Sequence, residues 1–368
     1  MGAMQPLLFV WVGMAFVLGA VIGSGLNVCI CRIPYEKSIL WPGSRCGHCF
    51  QPIRWYDNVP LLSYWLLRGR CRTCKTPFSI RYFLIELFTG LVFAGLFVLD
   101  VVLNVHDVRA FASPDFKFYL RHGLVPAEAW AFWAGHAVLA SLLIVTSVCD
   151  LDHLEIPLPV TVTGTLLGLV LAACLPWPWP DSFSAAPRPR QPGVVPAPHP
   201  GFQPWPLWRP EELPAWLAPG TWQLGLATGL AGVLAGMLML RGVRFLFGLG
   251  RGVEGLGAGD ADLMMMAGAF LGWQAVLVAF FVSILPGLVI GLGQLILRGE
   301  QELPFGPSLA LGVLLTLYSW RWIGPSVQPL FFDRTLLVGL GIFGGVMMLV
   351  ISFALRLLRG TPEAEPKG

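Results

Sequence analysis

Long apolar runs separated by short polar stretches dominate the chain, and within the runs the apolar residues are continuous rather than alternating. A continuous run of about 20 residues spans a hydrocarbon core of about 30 Å as a helix, whereas a membrane barrel needs shorter, alternating segments. The pattern predicts helices over residues 7–28, 82–103, 127–149, 158–175, 222–240, 308–320 and 336–355. Residues 263–297 contain no charge, and as one helix they would extend about 50 Å and overshoot the bilayer. Two helices that turn near Gly272 to Gln274 fit that stretch better. The expected fold is therefore an all-α polytopic membrane protein of about nine transmembrane helices, with a small polar domain between the first and second.

Composition agrees: 55% of residues are apolar and 12% charged, about half the charge of a soluble globular protein. The net charge of +3 matters less than its placement. No basic residue precedes Leu7, while Arg32 and Lys37 follow the first run. This points to an uncleaved first helix with its N-terminus outside the cytoplasm. Threading nine helices from that start puts 16 of the 24 Lys and Arg on the cytoplasmic side, as the positive-inside rule requires. The expected parts are the first helix (1–28), a cytoplasmic polar domain (29–81), a transmembrane domain (82–358) and a tail (359–368). Residues 176–221 are rich in Pro and Trp, which excludes a regular helix there and favours an extended external loop. Membrane lipid surrounds such a protein, and no nucleic-acid partner is expected.

Four of the eight cysteines form two knuckles in the polar domain, Cys46-Gly-His-Cys49 and Cys71-Arg-Thr-Cys74. Two Cys-x-x-Cys turns present four thiolates to one Zn²⁺ ion in a closed tetrahedral site, which leaves no position for water and is structural. A segment too small for an apolar core needs such a staple. The alternative is a set of reduced or disulfide-forming thiols. His48 reads as a bystander, and Cys29 and Cys31 as packing residues.

Ionisable residues at membrane depth are costly, so each is a functional candidate. Asp150-Leu-Asp152-His153-Leu-Glu155-Ile-Pro157 follows the third run, Gly257-Ala-Gly259-Asp260-Ala-Asp262 precedes the sixth, and Glu86 lies inside the second. The threading puts Asp150 and Asp260 on one side of the membrane. Two carboxylates that meet there share a proton, so one can act as base on water while the other polarises a scissile carbonyl. Glycines 257 and 259 would let an extended substrate backbone approach. A proton or cation pathway in a transporter uses the same residue types, and the acids alone leave both readings open.

With these residues in hand, the chain resembles the type IV prepilin peptidases, a family of bifunctional leader peptidases and N-methyltransferases. The resemblance runs through Gly23-Ser-Gly-Leu-Asn27-Val28, Arg32-Ile-Pro34, both knuckles, Ile53-Arg-Trp-Tyr-Asp57-Asn58-Val-Pro60-Leu-Leu-Ser63, Arg68-Gly-Arg70-Cys71 and Arg81 through Glu86 to Gly90. It continues over Asp150 to Pro157, Gly257 to Leu263 and Pro304-Phe-Gly-Pro307. It implies Asp150 and Asp260 as catalytic acids, with Gly257, Gly259, Asp152, Asp262 and Pro157 around them. It implies prepilin or pseudopilin substrates with a basic leader cut after Gly at the cytoplasmic face of a bacterial inner membrane. The new N-terminus would be methylated from S-adenosylmethionine, an activity associated with the cysteine domain. No Gly-rich nucleotide fingerprint marks where that cofactor binds. The chain departs from the family pattern in three ways: Leu158 replaces an Asp that often follows the Ile-Pro, Asp262 stands where Lys is usual, and the Pro-rich loop and ninth helix are additional. Asp152 and Asp262 are thus expected to add negative charge beside the catalytic pair and to favour its shared proton.

Overall fold

The computed structural model describes residues 6–106, 108–174, 215–217, 221–252, 257–298 and 304–359. Among them the secondary structure is helical, with two isolated β-bridges and no strand. The helices are α1 (Pro6–Arg32), α2 (Leu62–Leu66), α3 (Arg81–Phe97), α4 (Arg109–Ala112), α5 (Pro114–Arg121), α6 (Ala127–His153), α7 (Leu158–Cys174), α8 (Trp222–Arg251), α9 (Ala258–Arg298), α10 (Gly306–Phe332) and α11 (Arg334–Arg359). Among the described residues, six helical stretches are long and apolar enough to cross a membrane: α1, α3 with its π-helical extension, α6, α8, α9 and α11. The nine expected helices are these six with α9 counted as two and α7 and α10 added. The expected loop 176–221 lies outside the described residues apart from Ala215–Leu217 and Thr221, and the tail apart from Arg359.

Helix ends follow caps rather than hydropathy. The α8 helix starts where the Thr221 hydroxyl accepts from the Leu224 amide at 3.4 Å. It continues past Leu240 to Gly252, whose φ of 79° terminates it and whose amide donates to the Gly248 carbonyl at 2.7 Å. The α10 helix extends to Phe332, so most of the expected connection 321–335 is helical. Within α9, Gly272 has φ 76° and ψ 175°, a backbone conformation open to glycine, and it breaks the helix where the excess length called for a turn.

The chain divides into two compact units, Met1–Val160 and Thr161–Gly368. In the first, α1 and α3 approach closely at small residues. A Cβ on Gly23 would fall 2.9 Å from Glu86 Cα, and one on Gly19 2.7 Å from the Thr89 carbonyl. The indole of Trp133 in α6 donates to the Phe93 carbonyl of α3 at 3.0 Å. In the second unit the same device is stronger: a Cβ on Gly232 of α8 would lie 2.0 Å from the Gly268 carbonyl of α9, and one on Gly236 2.2 Å from that of Met264. The other half of α9 packs on α10, where a Cβ on Gly312 would meet the Ala279 carbonyl at 2.6 Å. Lipid gives little hydrophobic drive for helix pairing, so backbone contact through small residues supplies the packing.

Candidate functional site

In the first unit, α6 continues beyond the expected end at Cys149 and takes in Asp150, Asp152 and His153 as its last turn. Leu154, with φ 52°, caps that turn by donating its amide to the Asp150 carbonyl at 2.9 Å. Asp150 is 6% exposed, and its chain neighbour Cys149 belongs to a core of Ile30, Ile85, Val145, Cys149 and Val160. Pro157 is buried just ahead of α7, where it has no amide to satisfy and accepts from the Val160 amide at 3.1 Å. Asp152 points to a different partner, forming an ion pair with Arg81 at the start of α3.

In the second unit, Asp260 occupies the first turn of α9 rather than the connection before it. It is 7% exposed, and its Oδ2 accepts from the Gly257 amide at 3.2 Å. The carboxylate thus reaches back to the amide at the helix start, as in a capping box. A Cβ on Gly257 would lie 3.4 Å from the same oxygen, so a side chain there would stand directly against the acid. Asp262 pairs with Arg241 of α8 at 3.5 Å. Asp152 and Asp262, expected to add negative charge beside the pair, thus each have an arginine against them that offsets part of that charge.

The cysteine domain has an internal repeat. In the first knuckle the Cys46 amide donates to Gln51, the Phe50 amide to Cys46 and the Ile53 amide to Ser44; in the second, Cys71 donates to Thr76, Lys75 to Cys71 and Phe78 to Gly69. Phe50 and Lys75 both have φ 58°, and the two bridges, Arg45–Pro52 and Arg70–Pro77, stand in the same register. These matching turns bring four free thiols together, with all four sulfurs within 4.8 Å of one another and Cys46 Sγ 3.7 Å from Cys74 Sγ. Tetrahedral zinc with bonds of about 2.3 Å needs sulfur separations of about 3.8 Å, so the set fits zinc and not a disulfide pair. Hydrogen bonds from the Thr76 hydroxyl and then its amide pull the Cys74 thiol down to about 6, which favours the thiolate a metal requires.

The domain also forms a partly open cavity of about 730 Å³ against α1 and α3. Its lining includes Asn27, Arg32, Asp57, Tyr64, Tyr82 and Glu86. Glu86 accepts from the Leu61 amide at 2.8 Å, Asn27 donates to the Tyr82 carbonyl at 3.0 Å, and Arg72 grips Asp57 with two nitrogens, Nε at 2.8 Å. This concavity is assembled from a pair of apolar helices and the cysteine-knuckle domain. Cys31, read as a packing residue, is exposed, with its sulfur 3.7 Å from the Tyr82 hydroxyl.

Two family models match the chain: "Bacterial Peptidase A24 N-terminal domain" over residues 17–99 and "Type IV leader peptidase family" over residues 214–292. The first covers the cysteine domain and its cavity, and the second covers Asp260. Asp150 lies between the two matched stretches. Among similar proteins, a prepilin leader peptidase/N-methyltransferase of Myxococcus xanthus (strain DK1622) is 33% identical over 331 residues, covering 88% of this chain and 75% of the relative. One of the same description from Burkholderia pseudomallei (strain 1026b) is 30% identical over 83% of this chain and 84% of its own length. A type 4 prepilin-like proteins leader peptide-processing enzyme of Escherichia coli O78:H11 (strain H10407 / ETEC) is 29% identical over 83% of this chain and 93% of the relative. No solved structure matches the chain.

Proposed function

Because the chain belongs to the prepilin leader peptidase/N-methyltransferase family, we propose that it cuts the basic leader from prepilins or pseudopilins after Gly and methylates the exposed N-terminus. The observation that carries the peptidase reading is Asp260 itself: a buried carboxylate of a Gly-x-Gly-Asp motif, fixed at a helix start by the Gly257 amide, inside the stretch that matches the leader peptidase family. Asp150, buried in the last turn of α6, is its partner acid. A helix start carries partial positive charge and suits a carboxylate; a helix end carries partial negative charge and suits a protonated acid. Asp260 is accordingly the base that takes a proton from water. Asp150 carries the shared proton and donates a hydrogen bond to the scissile carbonyl oxygen. Water adds to the carbonyl carbon, the C–N bond then breaks, and the leaving amine takes up a proton from the pair. Arg81 and Arg241 hold Asp152 and Asp262 aside, so neither competes for that proton.

The domain at residues 29–81 is the methylating part, and residues 82–358 the peptidase. Zinc held by Cys46, Cys49, Cys71 and Cys74 closes the domain structurally. The cavity beside it has the size of a small-molecule site, and its lining combines Tyr64 and Tyr82, the acids Asp57 and Glu86 and the arginines Arg32, Arg45, Arg54 and Arg72. This mixture of aromatic and oppositely charged groups suits the adenine, ammonium and carboxylate of S-adenosylmethionine, which supplies an electrophilic methyl on a cationic sulfur. Glu86 and Tyr82 would border it. The excess of Lys and Arg on one side supports an orientation with the cysteine domain and both acids at the cytoplasmic face of a bacterial inner membrane, and the N-terminus outside.

Detergent-purified enzyme, a prepilin and S-adenosylmethionine, followed by mass spectrometry of the product, test the reading. Wild type should yield mature pilin cut after Gly and heavier by one methyl. Asp150→Asn and Asp260→Asn should leave the precursor uncut, with rates lowered about 10²- to 10⁴-fold, and Glu86→Gln should yield cut but unmethylated product. Cleavage at wild-type rate in either Asn variant would exclude the pair.

A further inference from the structure

We propose that Asp100, His106 and His136 form a second metal site, selective for zinc-class divalent ions and separate from the cysteine knuckles. All three side chains are buried, and their ligand atoms lie within 4.8 Å of one another. Asp100 Oδ1 is 3.3 Å from His106 Nε2, and its Oδ2 is 2.9 Å from His136 Nδ1. Tetrahedral zinc with bonds to nitrogen and oxygen of about 2.0–2.1 Å sets its ligands about 3.3–3.4 Å apart, so the two spacings from Asp100 need an adjustment of only a few tenths of an ångström.

The backbone is shaped to make this convergence. Asp100 sits in a π-helical turn, Val98–Val102, that succeeds α3; such turns are uncommon and recur at functional sites. His106 is delivered by the next loop, which Asn104 clamps from both sides: its side-chain nitrogen donates to the Val108 carbonyl at 3.0 Å and its side-chain oxygen accepts from the Val108 amide at 2.8 Å. His136 comes from α6. Phe132 shields the group, with its ring centroid 5.4 Å from that of His106 and 4.6 Å from that of His136.

A carboxylate with no exposure, set among aromatic rings, is costly unless a positive charge offsets it. Two neutral imidazoles and one carboxylate are a common three-residue ligand set for zinc, and they leave one coordination position for water. The site is remote from the proposed catalytic acid: His136 and Asp150 share α6, and the 14-position offset between them at about 1.5 Å per residue separates them by about 21 Å. The metal would therefore serve to pin the end of α3, the 103–108 loop and α6 to one another.

Elemental analysis of the purified full chain, loaded with zinc and desalted, tests this. Wild type should retain about two zinc ions per chain, and His106→Gln/His136→Gln about one. Cys46→Ser/Cys49→Ser should also retain about one, and after cobalt exchange that ion should give a spectrum without thiolate charge-transfer bands, as expected for nitrogen and oxygen ligands. A wild-type content of one, or of none in the Cys46→Ser/Cys49→Ser variant, would show that Asp100 and the histidines are only hydrogen-bonded and overturn the proposal. So would two ions retained in the double His variant.

Discussion

Asp57 and Arg72 show how single side chains hold the cysteine domain. The hydrogen bonds from Arg72 keep the Asp57 carboxyl below its ordinary 3.8. A lowered value in the folded state means that the pair contributes fully above the ordinary carboxylate range and is lost as pH falls through the lower, folded value. Arg72→Ala should therefore speed amide hydrogen exchange across residues 54–72 at pH 7 by about 2- to 5-fold, as expected for a partly exposed ion pair. The two proteins should converge at acid pH, once the Asp57 carboxyl is protonated in both; an equal difference at neutral and acid pH would show that Arg72 acts through packing instead. The knuckle cysteines and the Gly-x-Gly-Asp acid were legible in the sequence because their spacing is local. Asp100 and His136 were not, since each lies alone inside an apolar run and their meeting depends on how α3 and α6 pack. The arginine partners of Asp152 and Asp262, at separations of 71 and 21 residues, were hidden for the same reason.

Among the helices, hydropathy located the cores of the elements but not their ends. Asp150 and Asp260 were expected in connections, yet both belong to terminal helical turns, because backbone hydrogen bonding continues past the last apolar residue until a cap stops it. The break at Gly272 was legible, since a single helix of that length cannot fit a bilayer. The close crossing of α8 and α9 was not, because a glycine in an apolar run does not announce which neighbour it touches. Gly232→Val should lower the stability of the membrane domain by about 1–3 kcal/mol or more, the cost of forcing a side chain against backbone, measured as a fall in the thermal midpoint in detergent. Gly242→Ala, on the same helix with nothing within 4 Å of its Cβ, is the control and should leave the midpoint unchanged or slightly raised. A Gly232→Val midpoint equal to the control would contradict this packing.

At the scale of the whole molecule, an enzyme of this kind joins two chemistries in one membrane chain: a four-cysteine domain with its cavity inside residues 17–99, and an acid on α9 inside residues 214–292. Asp150 belongs to the first compact unit and Asp260 to the second, and the proposed peptidase reading needs an acid from each. Groups that act as one catalytic unit are not additive when removed together. The decisive measurement is the single-turnover rate of prepilin cleavage by wild type, Asp150→Asn, Asp260→Asn and the double variant, each checked for unchanged zinc content. A shared-proton pair predicts that each single substitution lowers the rate about 10²- to 10⁴-fold and that the double variant is no slower than the worse single one. Losses that multiply, or a single variant that cleaves at the wild-type rate, would contradict it.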